Sequence, residues 1–102
     1  MNNITKKSLE LVNKLFSNED KEQAIILLTN ECGNNLPYCE EYIPEELDRI
    51  RFAAIKISQG NIGQLESAII MAKSDWRDLL MSADFAKDVN LHNIWADETV
   101  SL

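Results

Sequence analysis

Apolar residues in this chain recur at spacings of three and four, while the alternation expected of strands is nearly absent. Capping residues and glycines divide the pattern into about six segments. Leu11, Val12, Leu15 and Phe16 form one stripe and predict a first helix over about Ile4–Phe16. SNED follows, where Ser17 or Asn18 can cap a second helix while Glu19 and Asp20 sit at its positive end. That helix carries Ala24, Ile25, Leu27, Leu28 and Cys32, and Gly33 can close it in the left-handed conformation. Leu36–Ile43, broken by Pro37, predicts a loop or a short helical turn. Pro44 suits the first position of a third helix. Here Leu47, Ile50, Ala54 and Ile57 share one stripe while Phe52 and Ile55 face elsewhere, so this helix belongs at the centre of a bundle.

In GNIGQ, Gly60 ends the third helix, Asn61 caps the fourth and Gln64 is placed to complete a capping box. So short a connection predicts antiparallel neighbours. The fourth helix buries Ile62, Leu65, Ala68, Ile69 and Ala72. Ser74 caps a fifth, SDWRDLLMSADFA, and Asp88 caps a short last one, VNLHNIWA. Residues 97–102, with little to bury, are expected to fray. The fold expected is all-α: a compact bundle of about five to six short helices, one domain over 1–102.

Composition agrees with a folded domain, at 45% apolar and 26% charged residues. The longest apolar run, AIILL at 24–28, is far short of a membrane span, and the N-terminus has the pattern of an amphipathic helix rather than an export signal. A cytoplasmic location with reduced thiols is therefore expected for Cys32 and Cys39. Charge changes the picture more. Ser17–Asp48 holds nine acids and one lysine, so this third of the chain exceeds the whole net charge of −7 and the remainder sums to +1. Nucleic acid and anionic membrane both require a basic footprint, which argues against either as partner and favours a basic protein.

The densest acidic stretch is YCEEYIPEELD, with Glu40, Glu41, Glu45, Glu46 and Asp48 in nine residues. Glu45, Glu46 and Asp48 have a structural reason to be there, because carboxylates stabilise a helix start. Glu40 and Glu41 precede the helix, and Tyr38 and Tyr42 bracket them. Aromatics among acids on a loop suit a binding surface, although Tyr42 and Ile43 can equally form a hydrophobic staple. The candidate partner-binding set is Tyr38, Glu40, Glu41, Tyr42, Glu45, Glu46 and Asp48, with Glu19, Asp20 and Glu22 beside it. Trp76 is in phase with Leu79, Leu80 and Ala83 and fits the core, with an interface anchor as the other use of a tryptophan. Arg77 lies between Asp75 and Asp78, which suggests local ion pairs.

Catalysis finds little to work with. Cys32 or Cys39 with His92, the lone histidine, is the one thiol–imidazole combination, and nothing in the spacing brings them together. Those three residues are also too few for a structural zinc site. GNIGQ lacks the spacing and lysine of a phosphate loop. No cofactor or metal and no enzymatic activity is expected.

The C-terminal half, RIRFAAIKISQGNIGQLESAIIMAKSDWRDLLMSADFAKDVNLHNIW, resembles a group of small all-helical bacterial proteins. The likeness is carried by Arg51, Phe52, Ala53, Gly60, Ile62, Leu65, Trp76, Arg77, Asp78, Leu79, Leu80, Phe85, Ala86, His92 and Trp95. Some members of that group resemble immunity proteins of contact-dependent growth inhibition and other polymorphic toxin systems. The resemblance implies a non-enzymatic cytoplasmic protein that occludes the active site of a cognate toxin. An acidic plug suits a nuclease, whose cleft must attract polyanions. The alternative is a helical adaptor or regulatory subunit whose acids form a solvated face. The motif positions are mostly core, caps and turns, so the resemblance transfers a fold and no inhibitory residues.

Overall fold

In the computed structural model the chain is described over residues 4–32 and 44–102, with the side chains of 44–46 left aside. Five helices and no strand occur among these residues: α1 (Lys6–Leu15), α2 (Lys21–Glu31), α3 (Pro44–Ser58), α4 (Ile62–Ser82) and α5 (Leu91–Val100). They form the all-α bundle that the periodicity predicts.

The centre is α3, which packs against α1, α4 and α5. Leu47, Ile50, Phe52, Ala53, Ala54 and Ile55 are all fully buried, so both the main stripe and the residues beside it are enclosed. α4 folds back on α3 and makes the most extensive helix pairing, through Leu65, Ala68, Ile69, Ala72, Leu79 and Leu80. The turn between them holds Gln59 and Gly60 at positive φ, 50° and 79°. Asn61 Oδ1 accepts the Gln64 N–H at 2.9 Å, as expected of the cap. The Asn61 N–H is taken by the Ser58 carbonyl, so the reciprocal half of a capping box is replaced by a backbone bond.

Several local expectations are revised. α1 starts later than Ile4, because Thr5 is its cap and accepts the Ser8 N–H. Neither Ser17 nor Asn18 caps α2 through its side chain; Asp20 occupies the cap position without a side-chain bond, and the Ser17 carbonyl accepts the Asp20 and Lys21 N–H groups. The break expected at Ser74 falls at Asp75, whose φ of −157° and ψ of 90° interrupt α4. Its Oδ1 accepts the Arg77 and Asp78 N–H groups, so Asp75 is the cap of the second half of α4. Two predicted helices are thus one element with a capped corner.

That second half ends in a Schellman arrangement with Asp84 at φ 64°: Phe85 N–H bonds the Leu80 carbonyl at 2.8 Å and Asp84 N–H bonds that of Met81 at 3.1 Å. Two cations from α3 hold this turn. Lys56 Nζ donates to the Ala83 carbonyl at 2.7 Å, and Arg49 Nη2 donates to that of Phe85 at 2.9 Å. Arg49 and Lys56 thus satisfy helix-end carbonyls, where positive charge also suits the helix dipole.

Asp88 Oδ1 accepts the Asn90 N–H at 2.7 Å, which shapes the entry to α5 without capping it directly. α5 then continues to Val100, so the tail expected to fray from residue 97 is mostly helical. Thr99 is buried, Val100 packs on the core and Lys7 pairs with Asp97 at 2.9 Å, contacts made with α1 that no local pattern announces.

Candidate functional site

The acidic candidates divide into three groups. Glu19 and Glu22 are exposed and Asp20 is half-buried, all at the N-terminal end of α2. Tyr38, Glu40, Glu41 and Tyr42, together with the side chains of Glu45 and Glu46, lie outside the described residues, as does Cys39. Asp48 departs from expectation. It is 7% exposed, and its carboxylate accepts the Thr5 hydroxyl at 2.9 Å and the Ser8 hydroxyl at 3.0 Å. This carboxylate ties the start of α1 to α3, and burial removes it from any contact surface.

Arg51 is fully buried. Its Nε donates to the Cys32 carbonyl at 2.9 Å, fastening the C-cap residue of α2 to the central helix. Burial pulls the guanidinium pKa down, while the neighbouring Cys32 and the Asp48 carboxylate oppose that shift. Cys32 is equally enclosed, and burial pushes its thiol up to about 12. A thiol held there supplies no thiolate near neutral pH.

His92 lies elsewhere in the core, tilted against Phe52 at 5.6 Å and edge-on to Phe85 at 6.3 Å. It is 6% exposed, and its Nδ1 has no hydrogen-bond partner. Desolvation, then the positive Arg49, lower its pKa from 6.5, against a smaller opposing contribution from the Val89 backbone. The unfolded chain therefore binds a proton at a pH where the folded one does not, and stability falls as pH drops below 6.5. The limiting slope for one proton is about 1.4 kcal/mol per pH unit. Urea unfolding between pH 7 and 5 is expected to show this loss in the wild type, with His92→Gln less sensitive over the same interval. An unchanged slope in His92→Gln would assign the acid sensitivity to other groups.

The surface that α2 shares with α4 adds what charge counting missed. A groove of about 200 Å³ runs between Leu27 and Glu31 on α2 and Glu66, Ile69, Ile70 and Lys73 on α4. Ile70 is 63% exposed, Met71 follows it at 37%, and Ile26 on α2 is 44% exposed. Lys73 is neutralised by an ion pair with Glu31, which leaves Glu66 and the Glu19–Glu22 end of α2 as unbalanced charge. A partly apolar groove with an acidic margin is the described surface best suited to a basic protein partner. The sequence carried a signal for it: in AIIM at 68–71 the stripe accounts for Ala68 and Ile69, and Ile70 and Met71 are left over.

Trp76 is half-buried, with the Arg77 guanidinium 5.2 Å from its ring centre, so this tryptophan is part core and part surface. Arg77 covers the ring in place of the local ion pairs expected with Asp75 and Asp78. Trp95 is a half-buried cover packed on Phe85, as its short helix suggested.

Among the described residues no cluster of three or more His, Cys, Asp or Glu could hold a metal ion. No helix of the described residues is long and apolar enough to cross a membrane. Comparison with protein-family models, with curated proteins and with solved structures finds no match to this chain.

Proposed function

We propose that this chain is a non-enzymatic binding protein for a basic partner: an immunity protein that occludes the active site of a bacterial toxin, most concretely a nuclease. The observation that carries the proposal is the groove where Leu27 of α2 meets Glu66, Ile69 and Ile70 of α4, on a pair of helices that also exposes Ile26 and, at the start of α2, Glu19 and Glu22. Acids steer a cationic cleft toward this face, and the aliphatics supply area that a partner can desolvate. Glu40 and Glu41, which the sequence places between α2 and α3, are the further acidic candidates for this contact. Asp48 takes no part in contact.

The test begins with the reading frame directly upstream, where a cognate toxin is expected. Its product should bind this chain with an association rate that falls as salt rises. Glu19→Lys with Glu22→Lys is expected to weaken binding by about tenfold, or 1.4 kcal/mol, while leaving the unfolding midpoint nearly unchanged. Glu40→Lys with Glu41→Lys should weaken it at least as strongly and reduce protection of cells expressing the toxin. Full protection by both double variants would remove the acidic surface from the mechanism. A partner bound through the α2–α4 groove without salt dependence would instead favour the adaptor.

A further inference from the structure

The second half of α4 presents a groove of opposite character. About 260 Å³ is enclosed by Arg49, Trp76, Arg77, Leu80, Met81 and Ala86. Its charged lining consists of two guanidinium groups and no carboxylate. An adjoining hollow of about 520 Å³ shares Met81 and Ala86 and adds Asp84 and Lys87. Across both, three cations face one acid, on a chain whose net charge is −7. Of the carboxylates next in sequence to lining residues, Asp75 is engaged with backbone N–H groups, Asp88 accepts the Asn90 N–H, and Asp78 is exposed outside both linings.

The floor and rim have the composition of an interface anchor site. Trp76 is half-buried, Met81 is 63% exposed and adaptable in shape, and the Arg77 guanidinium sits over the indole, 5.2 Å from its centre. Arg49 is held in place by the Phe85 carbonyl, while its buried Nε has no hydrogen-bond partner. A donor left in this state next to an apolar groove is best satisfied by an acceptor that arrives with a ligand.

We propose that this groove is a second interaction site, whose occupant is an acidic polypeptide segment. An aliphatic or aromatic side chain of that segment seats over Trp76 and Met81, and flanking carboxylates pair with Arg49, Arg77 and Lys87. The site is distinct from the acidic α2–α4 face and stands whether or not that face binds a toxin. The cations lining this groove disfavour the basic partner that the acids of the α2–α4 face favour.

The decisive probe is a pair of fluorescent twelve-residue peptides with the same central Leu-Phe and either four glutamates or four lysines around it. Nonspecific attraction to a chain of charge −7 favours the lysine peptide, so the groove must work against the global field. Fluorescence anisotropy with the full chain is expected to show the glutamate peptide binding at least about tenfold more tightly. The Trp76 indole N–H should shift on binding, with Trp95→Phe used to assign it. Arg77→Glu and Met81→Glu change exposed side chains, and each should reduce glutamate-peptide affinity by about tenfold with an unchanged circular dichroism spectrum. The proposal fails if neither peptide binds or if the lysine peptide binds as tightly. It fails equally if the folded Arg77→Glu and Met81→Glu proteins retain wild-type affinity.

Discussion

Replacing Arg51 by methionine is expected to destabilise the domain by about 3–5 kcal/mol, the range for stripping one partner from a buried charged arrangement. Methionine roughly conserves the length of the side chain, so little of this is cavity formation. The loss comes from two groups that remain behind. The Cys32 carbonyl at the end of α2 loses its 2.9 Å donor in a site closed to water. Asp48, one turn earlier on α3, loses the cation that moderates its burial. Arg51→Lys keeps the charge but not the directed Nε–H, and should fall between methionine and wild type. For a domain of this size, whose total stability is expected within about 5–15 kcal/mol, the methionine variant approaches the folding threshold. Urea unfolding reads the effect directly, and a methionine variant with the wild-type midpoint would show that Arg51 contributes no net stability. The result also guards the functional reading, because loss of toxin binding in an Arg51 variant would report unfolding and not a contact.

Gly60→Ala is the second large effect. Gly60 sits at φ 79°, a conformation that costs an L-residue about 1–2 kcal/mol. Space is the heavier constraint. A Cβ added there would come within 2.3 Å of the Leu15 carbonyl oxygen, a backbone atom of α1 that cannot swing aside. Relieving this overlap means moving the end of α1 away from the α3–α4 corner, at a further cost of roughly 1–3 kcal/mol. Gly60→Asn separates the two contributions, since asparagine tolerates positive φ but still carries a Cβ. If steric contact dominates, the asparagine variant unfolds at nearly as low a urea concentration as the alanine variant. Recovery of wild-type stability by asparagine would leave the backbone conformation as the sole cause.

Gly60 also shows how local chemistry can be legible while its tertiary consequence is not. GNIGQ marks a helix end and a new helix start, and both are present, with Asn61 as the cap. That α1 presses its last carbonyl into the missing side chain depends on residues 45 positions away in sequence, which no local pattern encodes. Asp75 is similar. A capping residue was legible in SDWRD, but Ser and Asp are both competent caps, and only the backbone path selected the aspartate.

The candidate surface was legible to a smaller degree. Acidity of the Ser17–Asp48 third of the chain was evident from residue counts, and exposure of Glu19 and Glu22 agrees with their place at the start of α2. Asp48 looked like one more acid in the same run. Its burial follows from Thr5 and Ser8, 43 and 40 residues earlier, whose hydroxyls accommodate the carboxylate. Arg77 looked paired with its acidic neighbours, yet the Asp75 carboxylate accepts backbone N–H groups as a cap and the indole offers the guanidinium a broader contact.

Helix periodicity, caps and the apolar stripes belong to stretches of a few residues, and the chain alone therefore determined an all-α bundle with α3 at its centre. Which polar residues would be enclosed was settled by the assembled bundle. A buried Arg51, Asp48 or His92 is tolerable only where distant groups meet its hydrogen-bonding and charge requirements, or where the packing keeps it neutral. The two grooves arise in the same way: each needs side chains from separate parts of the chain, and neither α2 nor α4 carries one by itself.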